Sequence, residues 1–516
     1  MLEITLNLTP EQYHQPEEMR LAVARQLHVK KDVIGHLNVR RRSLDLRRGH
    51  MHYVTTLEVY RPEETVVPDN FSSPYKEASQ DQKVIIVGAG PGGLFAALKA
   101  LEYGMKPIIL ERGKAVEERK LDIALLGREG IVNPNSNWCF GEGGAGTYSD
   151  GKLYTRSTKR GNVTEVLRKF IEHGADPSII IDAHAHIGTD RLSPIIAQMR
   201  ATIRSHGGEI HFGCTVNNIL TRDHQAIGVS TLDGQCFEGS HIILATGHSA
   251  RDIYLLFHAN QWALEAKPFA LGVRVEHPQE LINSIQYHTP RYSRYLPPAA
   301  YSLVTQAEGH GVFSFCMCPG GVIVPAATDA RQQVVNGMSN SKRNSPFANS
   351  GIAVTVGLAD VPEYAQYGSL ALLRFQQDVE QHMYEAGQGA APSQRLVDFL
   401  DNKTSSRLNK SNYLGKTLSA PLQELLPSFV VQGLQQGFRD FDRKMRGFIT
   451  SDASLLAVES RTSSPVRIPR RDDYQHVQIE RLYPCGEGAG YAGGIVSSAL
   501  DGINIVNAIA QQSGLA

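Results

Sequence analysis

The first 60 residues alternate between hydrophobic and polar positions in a way that predicts a small folded module. Three strands are predicted there, over residues 2–8, 33–42 and 50–60. Residues 10–27 have the pattern of a helix. The following segment is rich in Pro, Ser, Glu and Asp, which is typical of a linker. We therefore expect an α+β module over residues 1–62 and a linker over residues 63–82.

A strand, a glycine-rich turn, a helix and a second strand follow in close order from Lys83. This order is the opening of a βαβ unit, the building block of parallel sheets. A helix is expected over residues 190–205, with Thr189 as its N-cap. Four strands are predicted around and after it, over residues 209–212, 216–220, 226–231 and 241–245. Alternating β patterns and then two helices are predicted further on, over residues 267–327, 370–385 and 428–446.

Length and charge indicate a multidomain protein without a general attraction for polyanions. The chain has 516 residues, and a single hydrophobic core rarely grows beyond roughly 250–300 residues, so we expect two or three domains. Its 52 basic residues equal its 52 acidic residues, which disfavours nucleic acid and anionic lipid as partners. Six cysteines and a first segment without basic residues indicate reduced thiols and a cytoplasmic location. The apolar stretch 84–105 is interrupted by Gly, Pro and Lys99, so we expect no membrane span.

The distribution of the 47 glycines is more informative than their number. Residues 88–93 contain four glycines in six positions, residues 141–151 contain five in eleven, and residues 486–494 contain five in nine. Glycine tolerates positive φ angles and lets the backbone approach a ligand closely. Three such segments suggest one extended ligand that is held by backbone.

The first glycine-rich segment fits a dinucleotide-binding turn. It follows a predicted strand and opens a helix: Gly88 allows the tight turn, Gly90 the approach of a pyrophosphate and Gly93 the packing of the helix on the strand. Glu111 comes 23 residues after Gly88, at a strand end where a ribose hydroxyl would be received. An acid there favours FAD or NAD over NADP. Arg112 either assists a phosphate or is an exposed arginine at the strand end.

The later segments point to one of these dinucleotides. A buried strand ends in the small-residue turn at Thr246 and Gly247, and a late strand leads through Glu487 into a glycine-rich turn before a helix. These segments resemble the FAD-binding signatures of the two-dinucleotide-fold flavoproteins. By that resemblance, Glu487 receives a ribityl hydroxyl, and the amides near Gly494 and Ile495 approach the flavin.

The middle segment resembles still more closely a bacterial, mostly uncharacterised family of FAD-dependent oxidoreductases. The matching stretches are residues 138–153, 186–192, 245–252, 313–321 and 458–467. The resemblance covers essentially the whole chain. It implies an α/β fold in which a Rossmann-type FAD-binding domain, at 83–265 and 441–516, is interrupted by a β-rich α+β substrate or cap domain at 266–440. The small α+β N-terminal module precedes them.

The residues expected at the FAD lie in these segments and beside them. They are Gly88, Gly90, Gly92, Gly93, Glu111, Arg112, Gly144, Gly146, Lys152, Val216, Thr246, Gly247, Gly486, Glu487, Gly494 and Ile495. No metal site is predicted. His184 and His186 lack a further ligand, and Cys316 and Cys318 would be only half of a zinc site.

Three polar residues are candidates for catalysis, because a flavin supplies redox chemistry while the protein positions the substrate and moves protons. His248 follows a turn expected at the FAD and either titrates near neutral pH or is held by backbone in a loop. Arg461 and Ser463 either bind an anionic group that faces the flavin or cap a loop. Cys316 and Cys318 would share one face of a strand, as a redox pair or as buried thiols.

The sequence thus predicts an FAD-dependent oxidoreductase, a dehydrogenase or reductase, that acts on an unidentified small organic substrate at the flavin face. Residues 152–480 contain no second GxGxxG after a strand, so we expect no dedicated domain for NADH or NADPH. Either such a reductant binds transiently at the flavin face, or the electrons come from the substrate or from a partner protein. Five arginines in residues 40–48 keep a flavin-dependent RNA-modifying enzyme as an alternative, although nucleic acid is disfavoured as a partner. The third hypothesis is a non-catalytic, redox-sensing flavoprotein. The motifs leave the oligomeric state open.

Overall fold

Three main sheets, each with its own hydrophobic core, organise the chain. The computed structural model describes residues 1–47, 51–154, 161–288 and 293–515. The mixed α/β class with a parallel sheet is as predicted. Within these ranges, helices that combine the length and the apolar composition needed to cross a membrane do not occur.

The N-terminal module is a three-stranded antiparallel sheet on which two helices pack. Its elements are β1 (Leu2–Leu8), α1 (Pro10–His14), α2 (Pro16–Leu27), β2 (Leu37–Asp45) and β3 (His52–Val59), with β3 in the middle of the sheet. The helix expected over residues 10–27 is split, because Pro16 disfavours helical backbone at Gln15, whose φ and ψ are −111° and 109°. The strand expected at 33–42 starts only at Leu37, because a 3-10 turn first brings Ile34 into the core.

The part of the chain expected to be the first half of the FAD-binding domain opens with the predicted strand, turn, helix and strand. Its elements are β4 (Ser79–Val87), α3 (Pro91–Glu102), β5 (Met105–Leu110), α4 (Val116–Glu129), α5 (Val163–Glu172), α6 (Thr189–Ser205), β6 (Glu209–His211), β7 (Val216–Arg222), β8 (Gln225–Thr231), β9 (Cys236–Glu238), β10 (His241–Leu244) and α7 (Arg251–Ala259). The expected linker ends early, because Ser79 already pairs with Met105 in the sheet. Thr189 is the first residue of α6 and not its N-cap, since its hydroxyl donates to the carbonyl oxygen of Thr147 at 3.1 Å.

The β-rich domain is built on a seven-stranded sheet. The elements of this part are β11 (Glu265–Ala266), β12 (Phe269–Pro278), α8 (Gln279–Tyr287), β13 (Val304–Ala307), β14 (His310–Cys318), β15 (Val322–Pro325), β16 (Val335–Met338), β17 (Phe347–Val356), α9 (Ala371–Gly387), β18 (Ala391–Arg395), α10 (Leu396–Leu400), β19 (Thr417–Ser419), α11 (Leu422–Leu425), α12 (Ser428–Lys444) and β20 (Ser454–Glu459). The strand order is β13-β14-β17-β12-β20-β18-β19. We expected β20 in the C-terminal part of the FAD-binding domain. It lies in this sheet instead, because all six of its side chains are buried and suit an inner strand.

Strand β14 departs from the regular alternation that we expected. Cys316 has a positive φ of 43°, and the pairing with β17 shifts register between Phe315 and Cys318. The two thiols at this bulge differ in exposure, since Cys316 is exposed and Cys318 is 1% exposed, although both line the same cavity. The expectation of an unbroken strand alternation at the two cysteines is therefore wrong.

The end of the chain returns to the parallel sheet. It forms β21 (Val466–Arg467), β22 (Leu482–Pro484) and α13 (Ile495–Gln512). Strand β22 joins β10, so the five parallel strands have the order β22-β10-β4-β5-β6. Helix α13 packs closely against α3, since a Cβ at Gly502 would lie 2.2 Å from the carbonyl oxygen of Gly92.

We expect Gly502→Ala to destabilise the protein, because its methyl group would push α13 away from α3. Overpacking of this kind costs about 1–3 kcal/mol, which corresponds to a decrease of a few degrees in Tm. Thermal unfolding measures it. Gln511→Ala, at an exposed position of the same helix, is the matched control and should leave Tm nearly unchanged. Equal Tm values for both variants would contradict the close packing.

Candidate cofactor and substrate site

Neighbouring parallel strands bring three distant segments together at one edge of the sheet. Strands β4, β10 and β22 are adjacent, and their carboxyl ends lead into the turns at residues 88–93, 245–247 and 485–494. Two of the turns touch, since a Cβ at Gly488 would lie 2.8 Å from the carbonyl oxygen of Gly247. All three turns line one cavity of about 1390 Å³. This edge is where open α/β sheets bind their ligands.

The first turn has the geometry that its three glycines predict. A Cβ at Gly88, whose φ is 105°, would lie 2.4 Å from the carbonyl oxygen of Ala245. A Cβ at Gly93 would lie 2.0 Å from the carbonyl oxygen of Gly88, so this glycine lets the helix approach the strand. A Cβ at Gly90 would meet only Gly144, at 3.9 Å, and would otherwise project into the cavity. Two of the glycines are thus required by packing, and the third leaves room for a ligand.

The remaining predicted residues also face the cavity. Of the residues expected at the cofactor, all except Gly93 line it. A Cβ at Gly247 or Gly494 would meet no atom within 4 Å, so backbone is open to a ligand at both positions. The first turns of α3 and α13 line the same cavity, and helix N-termini favour negative charge. Open glycine backbone and two helix N-termini in one cavity fit an FAD.

The carboxylate of Glu111 is already engaged by backbone. Its Oε2 accepts from the amide of Ala89 at 2.8 Å, and its Oε1 accepts from the amides of Gly113 and Gly141 at 2.9 and 3.0 Å. A carboxylate has about four acceptor positions, so one position is left for a ribose hydroxyl. Glu111 therefore also ties the first glycine-rich segment to the second, a role that the sequence did not reveal.

Arg112 pairs with a side chain of the protein. Its Nη2 lies 2.5 Å from Oδ2 of Asp252, and its guanidinium carbon lies 4.4 Å from the centre of the Phe140 ring. Arg112 lies on the cavity wall. This position is compatible with both expectations, namely that the arginine assists a phosphate and that it is an exposed arginine at the strand end.

Glu487 is the carboxyl group in the cavity whose pKa lies near neutrality. Burial raises the pKa of Glu487 to about 7, against the opposing influence of the nearby Lys267 ammonium. Its side chain lines the cavity beside Gly486. At neutral pH this group is therefore present in both protonation states.

His248 does not titrate near neutral pH, contrary to one of the two expectations. Its Nε2 donates to the carbonyl oxygen of Arg461 at 3.1 Å, and its Nδ1 lies 3.1 Å from the hydroxyl oxygen of Ser249. Burial and the nearby Arg461 charge lower the pKa of His248 to about 4. The ring is neutral and held on both sides, so it keeps the turn at Gly247 in place.

Arg461 is engaged by the protein itself and does not present a free cation to the cavity. Its Nε and Nη2 donate to the carboxylate of Glu380 at 3.2 and 3.1 Å, and its Nη1 donates to the hydroxyl groups of Thr328 and Ser249 at 2.7 and 3.2 Å. Arg251 shares the same carboxylate at 2.8 Å. Glu380 lies on α9, so this carboxylate links the β-rich domain to the turn after β10. Two arginines around one carboxylate leave a net positive charge beside the cavity, whose lining includes Arg461.

Ser463 is turned away from the cavity. Its hydroxyl oxygen lies 3.4 Å from Nζ of Lys267, and Thr462, rather than Ser463, lines the cavity wall. The hydroxyl of Thr462 donates to the carbonyl oxygen of Ala270 at 2.8 Å. The backbone after β20 therefore directs Thr462, and not Ser463, to the cavity. This differs from the expectation that Ser463 faces the flavin.

A charged cluster around Lys152 was not predicted as a unit. Nζ of Lys152 lies 2.9 Å from Oδ2 of Asp150. The same carboxylate accepts from Arg343, with Nε donating to Oδ1 at 3.0 Å and Nη2 donating to Oδ2 at 2.5 Å. Burial opposes the charge of Lys152, but the neighbouring Cys318, Asp150 and Cys316 outweigh it and raise the pKa of Lys152. Two cations around one carboxylate leave a net positive charge on the cavity wall.

The arginines of residues 40–48 are mostly paired with carboxylates. The pairs are Arg40 with Glu58 and Asp69, Arg42 with Asp182, and Arg47 with Asp45. Arg48 lies outside the described residues. Arginines that are balanced in this way have less charge to offer to RNA phosphates.

We expect Gly90→Val to abolish FAD retention without unfolding the protein, because its side chain would enter the cavity and not the core. The flavin absorbance of the purified protein measures retention, and its thermal unfolding in the presence and absence of added FAD measures the fold. Gly93→Ala is the contrasting variant, since its Cβ overlaps the carbonyl oxygen of Gly88 and lowers Tm as well. Full FAD content in Gly90→Val would refute this position of the cofactor.

We expect the affinity for FAD to decrease as the pH rises through about 7, because a bound FAD adds negative charge and excludes water near Glu487. Both effects raise the pKa of Glu487 further, so binding takes up a proton and is favoured at low pH. Fluorescence titration of the FAD-free protein from pH 6 to 8.5 should show a several-fold increase in Kd. Glu487→Gln should show none, and an equal increase in this variant would exclude Glu487 as the cause.

Comparison with known proteins identifies the family. Residues 268–462 match the family described as FAD-dependent protein, C-terminal domain-like, and residues 1–60 match a domain of unknown function. An uncharacterised protein of Clostridium beijerinckii is 36% identical over 514 residues, which cover 96% of this chain and 96% of that protein.

Solved structures are similar only at low identity. A glycerol-3-phosphate dehydrogenase of Bacillus halodurans with FAD is 10% identical over 84% of this chain and 66% of that chain, with a TM-score of 0.35. A geranylgeranyl bacteriochlorophyll reductase-like protein of Thermoplasma acidophilum is 10% identical over 84% of this chain and 80% of that chain, with a TM-score of 0.36. Likenesses of this size carry no argument about activity.

The family match and the nearly complete coverage of the clostridial relative agree with the glycine-lined cavity. FAD is the cofactor of this protein. The chain belongs to the family of FAD-dependent proteins that includes this clostridial relative.

Proposed function

We propose that the protein is an FAD-dependent oxidoreductase that acts on a small organic substrate inside the cavity. The observation that carries the proposal is the extent of this cavity. At about 1390 Å³ it exceeds the usual 300–1,000 Å³ of ligand sites, and it continues from the glycine-rich turns to β14 and the N-terminal module. A cofactor and a second molecule therefore have room in one space.

The glycine-rich turns and two helix N-termini would hold the cofactor. The open backbone at Gly90, Gly247 and Gly494 would approach it, and the one remaining acceptor position of Glu111 would receive a ribose hydroxyl. FAD supplies the capacity to accept or donate two electrons when it is bound. The protein's own task is then to bind the substrate, exclude water and place protons.

Glu487 is the group that we propose for proton transfer. It faces the cavity, and its pKa of about 7 allows the carboxyl to release or accept a proton at neutral pH. His248 is instead a positioning residue, because its two ring nitrogens are engaged and its pKa is lowered to about 4. Lys152, whose side chain also lines the cavity, would attract an anionic or electron-rich part of the substrate.

NADH or NADPH is the proposed transient electron donor. Residues 152–480 contain no second GxGxxG after a strand, so this donor would not have a dinucleotide-binding domain of its own. The donor would enter the same cavity and leave it again. An RNA-modifying activity is less favoured, since the pairs of Arg40, Arg42 and Arg47 balance the charge of this strand. A purely redox-sensing role is less favoured, since it does not require space beside the cofactor.

We expect the bound FAD to be reduced rapidly when the protein is mixed anaerobically with its electron donor. Stopped-flow absorbance of the flavin band, with NADH, NADPH and a panel of small alcohols, amines and acids, identifies this donor. His248→Gln keeps one donor and one acceptor, so it should change the rate by only about twofold. A direct role of this histidine in proton transfer would instead require a loss of about 10²–10⁴-fold.

Glu487→Gln is the matched variant in this experiment. Its reduction rate should lose the inflection near pH 7 that the wild-type protein shows, because the amide does not titrate. Failure of NADH, NADPH and every compound of the panel to reduce the flavin would refute the proposed oxidoreductase and support redox sensing.

A further inference from the structure

The cavity extends beyond the segments that would hold FAD. Its outer part lies between the N-terminal module, the segment 182–186, the loop 294–302 and the bulge of β14. The N-terminal module matches only a domain of unknown function. Its position on the cavity therefore offers a first physical indication of what the module does.

The module is held against the cavity by backbone hydrogen bonds. The amide of Arg42 in β2 donates to the carbonyl oxygen of Ile181 at 2.9 Å, and the amide of Ala183 donates to the carbonyl oxygen of Arg42 at 3.1 Å. On the other side, Nε2 of Gln15 donates to the hydroxyl oxygen of Tyr295 at 2.9 Å. These hydrogen bonds fix the orientation of the module, which forms one wall of the cavity.

Aromatic rings form the part of this wall that faces the cavity. The ring centres of Tyr13 and Tyr53 are 4.6 Å apart, and those of Tyr13 and His14 are 5.1 Å apart. His14 stacks on Tyr295 of the facing loop, at 5.7 Å and with 13° between the planes. His14, Tyr53 and Tyr295 all line the cavity. Such separations are typical of favourable aromatic pairs.

Arg42, the charged group behind the rings of the module, is paired. Nη2 of Arg42 donates to Oδ2 of Asp182 at 2.8 Å, and its Nη1 donates to the hydroxyl oxygen of Tyr13 at 2.7 Å. Burial and the charge of Arg42 lower the pKa of His14, so its ring is neutral at pH 7. The guanidinium of Arg294 lies over the ring of Tyr295, at 4.6 Å from its centre. The wall formed by the N-terminal module therefore presents aromatic ring surface to a ligand.

The outer cavity also has an apolar part. It is lined by aliphatic side chains from the module and from the facing loop, namely Leu44, Leu46, Leu296, Pro297 and Pro298, and polar groups such as Ser43, His184 and Ser302 lie beside them. Ring faces between aliphatic groups bind flat hydrocarbon surfaces well, because stacking adds to the burial of apolar area.

We propose that the outer cavity binds a planar aromatic compound and that the N-terminal module supplies its ring-lined wall. The module is thus a substrate-binding part of the protein. This inference rests on the proposed function only in naming the bound compound a substrate.

Isothermal titration calorimetry of the FAD-loaded, full-length protein tests the proposal with two uncharged probes. The probes are 2-naphthol, which is planar and aromatic, and decahydro-2-naphthol, which has the same skeleton without aromatic rings. We expect 2-naphthol to bind at one site and several-fold more tightly than the saturated probe. His14→Ala should weaken the binding of 2-naphthol by about fivefold, since one stacking partner is lost. Leu46→Asp should weaken it by about tenfold, since a charge enters the apolar wall.

Matched controls lie in the same module but outside the cavity. His36→Ala and Leu2→Asp change exposed residues of the same types, and neither residue lines the cavity. Both controls should bind 2-naphthol as the wild-type protein does. Their FAD content and that of the test variants should stay equal to wild type, because the N-terminal module lies away from the glycine-rich turns.

Three results would overturn the proposal. The first is the absence of 2-naphthol binding, the second is equal binding of both probes, and the third is an equal affinity of His14→Ala, Leu46→Asp and their controls. Flavin reduction is measured separately. Normal reduction without discrimination between the probes would overturn this inference alone, whereas selective binding of 2-naphthol without any reduction would overturn only the proposed function.

Discussion

The close approach of backbone at the carboxyl ends of β4, β10 and β22 is the constraint on which the site depends. A Cβ at Gly88 would lie 2.4 Å from the carbonyl oxygen of Ala245, and one at Gly93 would lie 2.0 Å from the carbonyl oxygen of Gly88. Without side chains at these points, turns more than 150 residues apart in the chain meet at one edge of the sheet. The same contacts leave the backbone of Gly90 and Gly247 open, so the packing of the protein and the room for FAD arise together.

The polar residues around the cavity divide into those that hold the structure and those that face a ligand. Arg461 is enclosed by Glu380 and neighbouring hydroxyl groups, and the ring of His248 is fixed between Ser249 and the backbone. Leaving the buried charge of Arg461 unpaired would be costly, and its partner Glu380 comes from the β-rich domain and links that domain to the turn after β10. Glu487 and Lys152 also line the cavity, and they are the groups that we propose to act on a bound compound.

Several residues show why part of the site could be predicted and part could not. The glycines and Glu111 were found because a strand, a turn and a helix within about 30 residues impose their spacing locally. Arg461 was expected either to bind an anionic group or to cap a loop, but its partner Glu380 lies 81 residues away, and the spacing of residues does not reveal such a pairing. The partner of Arg42 lies 140 residues away. Cys316 and Cys318 differ in exposure, and a bulge that depends on pairing with β17 interrupts their strand.

The sequence by itself determined the α/β class, the glycine-rich turns and the strand-turn-helix-strand unit that begins at Lys83, since these depend on local spacing of hydrophobic residues and glycine. Tertiary structure decided which charges are free, where β20 belongs and how far the cavity extends. Those properties depend on contacts between segments distant in the chain, whose energies are absent from any local pattern. The N-terminal module is the clearest case: its strands follow from alternation, but its place on the cavity wall follows only from the bonds of β2 and Gln15 to residues 181–183 and Tyr295.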